Sequence, residues 1–385
     1  MPPLSLGVAR SIRLAHAKQL ARMQVPQLKD MPEEVPPPNI LGDTLDWIQA
    51  NPGALKAAQD SQCASESPDK PNWDAVFLGL MESSAMYLRK PDEMIKAIVA
   101  ARNNDLDTAM KHLELAQEDV NSVAAALGCT FIQLCDFSTQ GPHDTVLHSG
   151  AYCGLFISNS TSNPWAGIAF KGSNSIRDAI TDLDWDPIAP LSPGVAFDAP
   201  VHKGFYYGLF GLFDGDDDYQ IPFDLLVKQL ALSYDSPARL HFTGHSLGGA
   251  FCTLTYGEFL RLQAETPFNN FNFGDMYSLA APRVCLEPFA DEVNLRTQSG
   301  GGKYLFRVVN RDDPVPTIPP RTESQVVDYP FIHVGGAWEL TDAGAEKMAD
   351  EPPPATPQTV LELIFNVKHH QLADYYASWQ QTQHS

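Results

Sequence analysis

Residues 239–265 carry the pattern that most restricts what this chain can fold into. The segment RLHFTGHSLGGAFCTLTYGEFLRLQAE begins as a short apolar run and continues with helical spacing. Between the two parts, Ser246 lies in a Gly-x-Ser-x-Gly motif. A serine held on a tight turn between a strand and a helix is typical of a nucleophile elbow, and glycines permit such a turn. The motif alone is short enough to occur by chance, so the rest of the chain has to decide.

Apolar runs and helical patterns alternate through the second part of the chain. Short runs bounded by Ser, Asn and Gly predict strands at 151–158, 165–172, 239–244, 275–282 and 303–310. Helices are predicted at 223–234 and 248–265. This order predicts an α/β fold with a mainly parallel central sheet flanked by helices. Residues before about 147 show helical spacing, including a helix from Trp73 to Leu88.

Changes of composition divide the chain into three predicted parts. Residues 1–38 form a basic N-terminal arm and a proline-rich linker, residues 39–145 a helical region, and residues 146–385 the catalytic domain. The arm has no acidic residue before Asp30, and a helix from about Ser11 to Met23 is expected to pack on the rest of the protein. The alternative is a transit-like or surface-binding segment.

Charge and cysteine content restrict the partners and the location. The net charge of −21 argues against nucleic acid and against tight binding to anionic membranes. The six cysteines form no Cys-x-x-Cys pair, so we expect reduced, mostly buried thiols. With no secretory pattern visible, a cytoplasmic location is expected, or secretion if a pre-sequence has been removed. The sequence leaves the oligomeric state open.

Six motifs in a fixed order extend the interpretation of the elbow. They are IAFKGSNSIRDAITDL (168–183), VHKGF (201–205), TGHSLGG (243–249), APRV (281–284), RVVNRDDPVPTIPP (307–320) and FIHVGG (331–336). In these motifs the chain resembles the class 3 lipase family, over about residues 147–380. The resemblance implies an α/β-hydrolase fold, with the helical N-terminal region as an addition to it.

Acyl transfer by a serine needs a base and an acid that orients the base. In α/β-hydrolases the acid and then the histidine follow the serine along the chain. RVVNRDDPVP offers Asp312 and Asp313 directly after a strand, and the family motif favours Asp313. The histidines after Ser246 are His333, His369, His370 and His384. The resemblance assigns the base to His370, before a C-terminal helix that carries Tyr375 and Tyr376. His369 is the alternative, His333 belongs to a structural hairpin, and His384 lies almost at the chain end.

The resemblance also implies an oxyanion hole and a lid. The backbone N–H of Leu247 and the backbone and hydroxyl of Ser173 are the expected donors to the oxyanion. Residues 174–182 match the family's lid, with Ser175, Ile176, Ala179 and Ile180 in it. Because Ala179 stands where the closest lipase motif has tryptophan, weak activation at a lipid–water interface is expected.

These features together predict a serine carboxylester hydrolase that acts on acylglycerols. The alternatives are an esterase on small or aromatic esters, similar to feruloyl esterases, a phospholipase A1, and a non-catalytic interaction module. The acidic segment DGDDDY (214–219) lacks the spacing of a calcium loop and is expected to be a solvated turn. No metal or cofactor is expected.

Overall fold

The computed structural model describes the fold through ten stretches of the chain. These are residues 6–21, 39–139, 148–173, 186–210, 222–234, 238–298, 302–319, 330–341, 343–348 and 367–382. The predicted lid and the acidic segment 214–219 lie outside the described residues.

Helices precede the sheet in the chain and then alternate with its strands. They are α1 (Leu6–Leu20), α2 (Ile40–Ala50), α3 (Pro52–Asp60), α4 (Trp73–Met86), α5 (Pro91–Arg102), α6 (Leu106–Ala116), α7 (Glu118–Ala126), α8 (Lys203–Phe210), α9 (Pro222–Ser233), α10 (Leu247–Leu262), α11 (Glu287–Gln298) and α12 (Leu372–Thr382). The strands are β1 (Cys129–Thr139), β2 (His148–Ser158), β3 (Trp165–Phe170), β4 (Pro187–Ile188), β5 (Val201–His202), β6 (Arg239–His245), β7 (Phe273–Leu279), β8 (Leu305–Asn310), β9 (Ala337–Thr341) and β10 (Gly344–Lys347).

The central sheet has the order β1-β2-β3-β6-β7-β8-β9-β10 in the described part of the chain. Strands β3, β6, β7, β8 and β9 run parallel, whereas β1 and β2 at one edge and β10 at the other pair antiparallel. The prediction of a mainly parallel sheet flanked by helices is confirmed. In register, Phe170 of β3 pairs with Gly244 of β6, and His245 of β6 pairs with Leu279 of β7. The carboxyl ends of these strands therefore meet at one edge, where open α/β sheets hold their sites.

Helix α1 lies against the rest of the protein, as expected for the basic arm. Arg10 lies 3.4 Å from Asp107, and Arg13 lies 3.2 Å from Glu114, both acids on α6. Ile12 and His16 are buried. The helix begins earlier than predicted, at Leu6, and Val8 near its start packs against the core that includes Ile12.

Helix α4 lies inside the molecule and is buried on all sides. Every residue from Ala75 to Met86 is buried. Glu82 on this helix forms an ion pair of 2.7 Å with His241 of β6, and neither side chain is exposed. The helix therefore packs directly on the parallel sheet. Strand β1 lies within the region predicted to be helical, so that prediction was wrong for Cys129–Thr139. The division into three parts remains a prediction.

The cysteines and the helices show two further features of the fold. All six cysteines are free thiols and buried. Among the described residues, no helix combines the length and apolar character needed to cross a bilayer.

Candidate active site

Ser246 lies at the turn between β6 and α10. Its backbone has φ 60° and ψ −130°, and it occupies the position before the first residue of the helix. A φ above zero is rare for a residue with a side chain, so the surrounding structure must enforce this turn. Ser246 is 4% exposed. Its N–H donates to the carbonyl of Leu279 on β7 over 2.9 Å, which fixes the turn to the sheet.

The glycines of the motif are required because backbones approach closely here. A Cβ on Gly244 would lie 2.3 Å from the carbonyl oxygen of Gly248. A Cβ on Gly248 would lie 2.3 Å from the carbonyl oxygen of Phe170 at the end of β3. No side chain fits at either distance, so the strand and helix can converge only with glycine at both positions.

Asp313 and His370 form a buried pair beside the elbow. Nδ1 of His370 lies 3.0 Å from Oδ1 and 2.9 Å from Oδ2 of Asp313, and neither side chain is exposed. Asp313 also accepts hydrogen bonds from the N–H of Val315 at 2.9 Å and the hydroxyl of Tyr375 at 2.6 Å. The acid comes directly after β8, and the histidine comes just before α12, so the sheet and the C-terminal helix hold them together.

The hydrogen bonds of His370 determine what the ring can do. Nδ1 faces a carboxylate, which only accepts, so Nδ1 carries the proton and the neutral ring has its lone pair on Nε2. Nε2 is buried without a hydrogen-bond partner among the described residues. The hydrogen bond from the Ser246 hydroxyl to Nε2 is therefore not formed in this structure. Such bonds often form only when substrate is bound. His370 is thus arranged to accept a proton.

The residue before the serine links the elbow to the base. The ring centroids of His245 and His370 are 4.6 Å apart. Nε2 of His245 lies 3.0 Å from the carbonyl oxygen of His370. Burial, together with the neighbouring His370, lowers the pKa of His245 well below its usual range, so its ring is neutral. His245, next to Ser246 in the chain, therefore contacts the proposed base His370 directly.

The other candidate acids and bases lie elsewhere. His369 is half-buried, and its Nδ1 lies 3.7 Å from Asp374. His333 is buried and donates from Nε2 to the carbonyl of Pro316 at 2.8 Å. Asp312 is exposed, with φ 67°. His384 lies outside the described residues.

The expected oxyanion donors come from two adjacent segments. Leu247 begins α10, where the first N–H groups of a helix have no intrahelical acceptor. Ser173 follows β3 and is half-buried. The register between β3 and β6 brings both segments to the same edge of the sheet. The proposed lid residues Ser175, Ile176, Ala179 and Ile180 lie outside the described residues. Within the described residues, no group of three or more His, Cys, Asp or Glu is arranged to hold a metal ion.

Reasoning from sequence missed Tyr87. Its hydroxyl lies 2.8 Å from Nδ1 of His245, although the two residues are 158 positions apart. The tyrosine lies before the segment that the motifs cover, and no local pattern distinguishes it from a core tyrosine. By contrast, Tyr375 follows His370 closely in the C-terminal motif, and its contact with Asp313 gives that tyrosine a role in the site.

The fold and this arrangement define an α/β-hydrolase with a serine elbow and a buried aspartate–histidine pair. A comparison with known protein families is consistent with this fold. Residues 167–323 match the model of the class 3 lipases.

Relatives of known name match the same part of the chain. A lipase from Rhizomucor miehei is 33% identical over 183 residues, 46% of this chain and 42% of that protein. The secreted mono- and diacylglycerol lipase 1 of Fusarium solani is 44% identical over 169 residues, 43% of each chain. The match therefore spans less than half the length of these relatives. A solved structure of the Rhizomucor miehei triacylglyceride lipase aligns with 64% of this chain and 82% of that one, at 22% identity and a TM-score of 0.42.

Proposed function

We propose that the protein is a serine carboxylester hydrolase that cleaves acylglycerol esters through an acyl-enzyme intermediate. The observation that carries the proposal is the buried pair of Asp313 and His370 next to His245, the residue before Ser246, with Nε2 of His370 unpaired among the described residues. Nε2 is the ring nitrogen opposite the one that faces Asp313, so in the neutral ring it has the lone pair that a general base needs.

The proposed reaction has two halves. The hydroxyl oxygen of Ser246 attacks the ester carbonyl carbon, and Nε2 of His370 takes the hydroxyl proton. Asp313 stabilises the resulting imidazolium, while Leu247 and Ser173 donate to the oxyanion. The tetrahedral intermediate collapses, the bond to the alcohol oxygen breaks, and His370 protonates the leaving alcohol. Water then attacks the acyl-enzyme in the same way, and the fatty acid leaves.

The substrate class is proposed from the relatives. One is named a lipase, and the other is named a mono- and diacylglycerol lipase. A lid at 174–182 that opens at a lipid–water interface remains part of the proposal. We expect hydrolysis of mono-, di- or triacylglycerols, with weak interfacial activation.

A substrate panel tests this choice. Initial rates are measured on mono-, di- and trioleoylglycerol, phosphatidylcholine, methyl ferulate and p-nitrophenyl esters of increasing chain length. Acylglycerols are expected to have the highest kcat/KM. A preference for methyl ferulate or for the sn-1 ester of the phospholipid would replace the acylglycerol assignment with one of the alternatives. Absence of hydrolysis across the panel, with no labelling of Ser246, would favour the non-catalytic interaction module.

The location also enters the proposal. No comparison supports the cytoplasmic location expected from the sequence, and the Fusarium relative is named as secreted. Secretion is therefore the favoured location. Detection of the protein in culture medium from its native source, with an intracellular marker absent, is the expected result. Retention within intact cells would restore the first expectation.

A further inference from the structure

We infer that Tyr87, at the end of α4 in the N-terminal region, is a positioning residue for the catalytic machinery. The inference rests on the proposed function and concerns how the elbow, the base and the oxyanion segment are held together. Tyr87 lies outside residues 167–323, the part that matches the class 3 lipases. It is 3% exposed and follows the last residue of α4, which is buried from Ala75 to Met86.

A hydrogen-bond chain of fixed direction runs from the hydroxyl of Tyr87 through His245 to the backbone of His370. The carbonyl oxygen of His370 can only accept, so Nε2 of His245 donates to it over 3.0 Å. Nδ1 of the neutral His245 ring then has the lone pair, and the hydroxyl of Tyr87 donates to it over 2.8 Å. The hydroxyl thus selects the one tautomer of His245 that can hold the backbone of the base.

Tyr87 also contacts the segment that leads to the oxyanion donor Ser173. A Cβ on Gly172 would lie 2.0 Å from the hydroxyl oxygen of Tyr87 and 2.6 Å from the carbonyl oxygen of His245. Only glycine fits there, directly before Ser173. The ammonium of Lys171 lies 5.7 Å from the centre of the Tyr87 ring and 3.2 Å from the carbonyl oxygen of Gly172. The ring and hydroxyl of Tyr87 therefore pack against Lys171 and Gly172, directly before Ser173.

These contacts bring three catalytic segments onto one side chain. Tyr87 contacts the oxyanion segment and the elbow directly, and it reaches His370 through His245. A catalytic constellation needs its members held to within a fraction of an ångström by neighbours whose own positions are fixed. The N-terminal region thus supplies part of the active-site geometry of a domain to which it does not belong by sequence family.

Replacing Tyr87 with phenylalanine tests the inference, because this removes the hydroxyl and keeps the ring. Loss of one support in a site where 1 Å of misplacement can cost 10²-fold is expected to lower kcat about tenfold. KM for dissolved p-nitrophenyl butyrate is expected to stay within about twofold of the wild-type value, because Tyr87 is buried and acts through Gly172 and His245. Fluorophosphonate labelling of Ser246 should slow by the same factor as kcat.

The matched control is Tyr256→Phe. Tyr256 is also fully buried, and its hydroxyl also makes a hydrogen bond, to the carbonyl of Gly274 at 2.9 Å, but away from the site. We expect this variant to keep the wild-type kcat. Equal losses of kcat in both variants would overturn the inference in favour of a general effect on packing, as would wild-type kcat in Tyr87→Phe or a change confined to KM.

A second pair of variants works even if Tyr87→Phe does not fold. His245→Gln keeps an N–H donor near the position of Nε2, whereas His245→Asn keeps one only near Nδ1. The inference expects the Gln variant to retain several times more kcat than the Asn variant, and equal activities would contradict it. An inactive wild type, or a fully active Ser246→Ala, would instead overturn the proposed function, so the two failures are distinguishable.

Discussion

At the scale of the residue, Asp313 is the most firmly held member of the site. Its carboxylate accepts hydrogen bonds from Val315, Tyr375 and His370, and it is 4% exposed. Burial, together with Asp313, raises the pKa of Tyr375 well above its usual range, so the phenol keeps its proton and remains a donor. Both carboxylate oxygens of Asp313 are thus held in place by hydrogen bonds, and Nδ1 of His370 has a fixed partner in this carboxylate.

Replacing Asp313 with asparagine tests the orientation of the base. The amide can donate to Nδ1, which would move the proton of His370 to Nε2 and leave no lone pair facing Ser246. We expect kcat to fall by about 10⁴, with KM little changed. Steady-state kinetics on p-nitrophenyl butyrate measure it, with Tyr375→Phe as a milder comparison that removes one donor only. A variant that keeps more than a tenth of the wild-type kcat would show that another residue orients the base.

The two adjacent histidines are expected to behave differently. His370→Ala removes the base and should lower kcat by about 10⁶, because members of a triad act as a unit. His369→Ala removes a half-buried ring 3.7 Å from Asp374 and should cost about tenfold or less. Rates of both purified variants give the comparison. If His369→Ala were the more damaging change, the assignment of the base would be wrong by one residue.

Sequence reasoning succeeded at this scale where chemistry and chain proximity coincide. The motif around Asp313 and the His-His pair before the C-terminal helix were sufficient to propose the pair that the structure brings together. Choosing His370 over His369 depended on the family resemblance, since the two differ by one position. Tyr87 and His245 could not be paired, because a contact between residues 158 positions apart leaves no trace in one sequence.

At the scale of the element, the turn from β6 to α10 depends on glycine. The carbonyl of Phe170 at the end of β3 occupies the space beside Gly248, so β3, β6 and α10 meet at van der Waals distance. This contact also places the oxyanion segment next to the elbow. The sequence predicted the turn from its two glycines. The carbonyl of Phe170, which occupies the space beside Gly248, could be identified only from the fold.

Gly248→Ala is expected to destabilise the protein strongly. The new Cβ would lie 2.3 Å from a backbone oxygen that cannot move without shifting β3, so the free energy of unfolding should fall by at least about 2 kcal/mol. Gly53→Ala is the control, since nothing lies within 4 Å of a Cβ there. It should be neutral or stabilising by less than about 1 kcal/mol. Urea unfolding of both variants measures the difference, and equal midpoints would contradict the steric account.

Helix α1 is expected to make stability depend on pH. Burial lowers the pKa of His16 to about 4. A hydrogen bond with the backbone of Gln133 raises this pKa, but its effect is smaller than that of burial. The unfolded chain, with a pKa near 6.5, binds more protons, so stability is lost as the pH falls from about 6.5 towards 4. At pH 5 the loss should be about 2 kcal/mol.

The variant His16→Leu removes this titratable group and fills the same buried position with an apolar side chain. Free energies of unfolding at pH 7 and pH 5 are compared between the variant and the wild type, so the contributions of other groups cancel. The wild type should lose about 2 kcal/mol more than the variant on acidification. Equal losses would show that His16 is solvated or that α1 separates from the protein at neutral pH.

At the scale of the whole molecule, helices α2, α3, α4 and α7 share one hydrophobic core with the sheet. Helix α4 packs on the sheet, and the Glu82–His241 ion pair joins them with both side chains fully buried. The sequence predicted this helix almost to its ends, from Trp73 to Leu88. Helical spacing does not show which sheet a helix covers, and the polar residues Glu82, Ser83 and Ser84 are buried in α4 beside its apolar ones, so its central position could not be predicted. The strand Cys129–Thr139 was missed because its short apolar run lies directly after helices.

The central claim is that Ser246, in the intact chain, is the nucleophile that His370 activates. The most direct measurement is the rate and position of labelling by a fluorophosphonate, with the adduct located by mass spectrometry of peptides. The account predicts a single adduct on the peptide that contains Ser246, formed at least about 10³ times more slowly in His370→Ala because the base is missing. An adduct on any other residue, or labelling of His370→Ala at the wild-type rate, would contradict it.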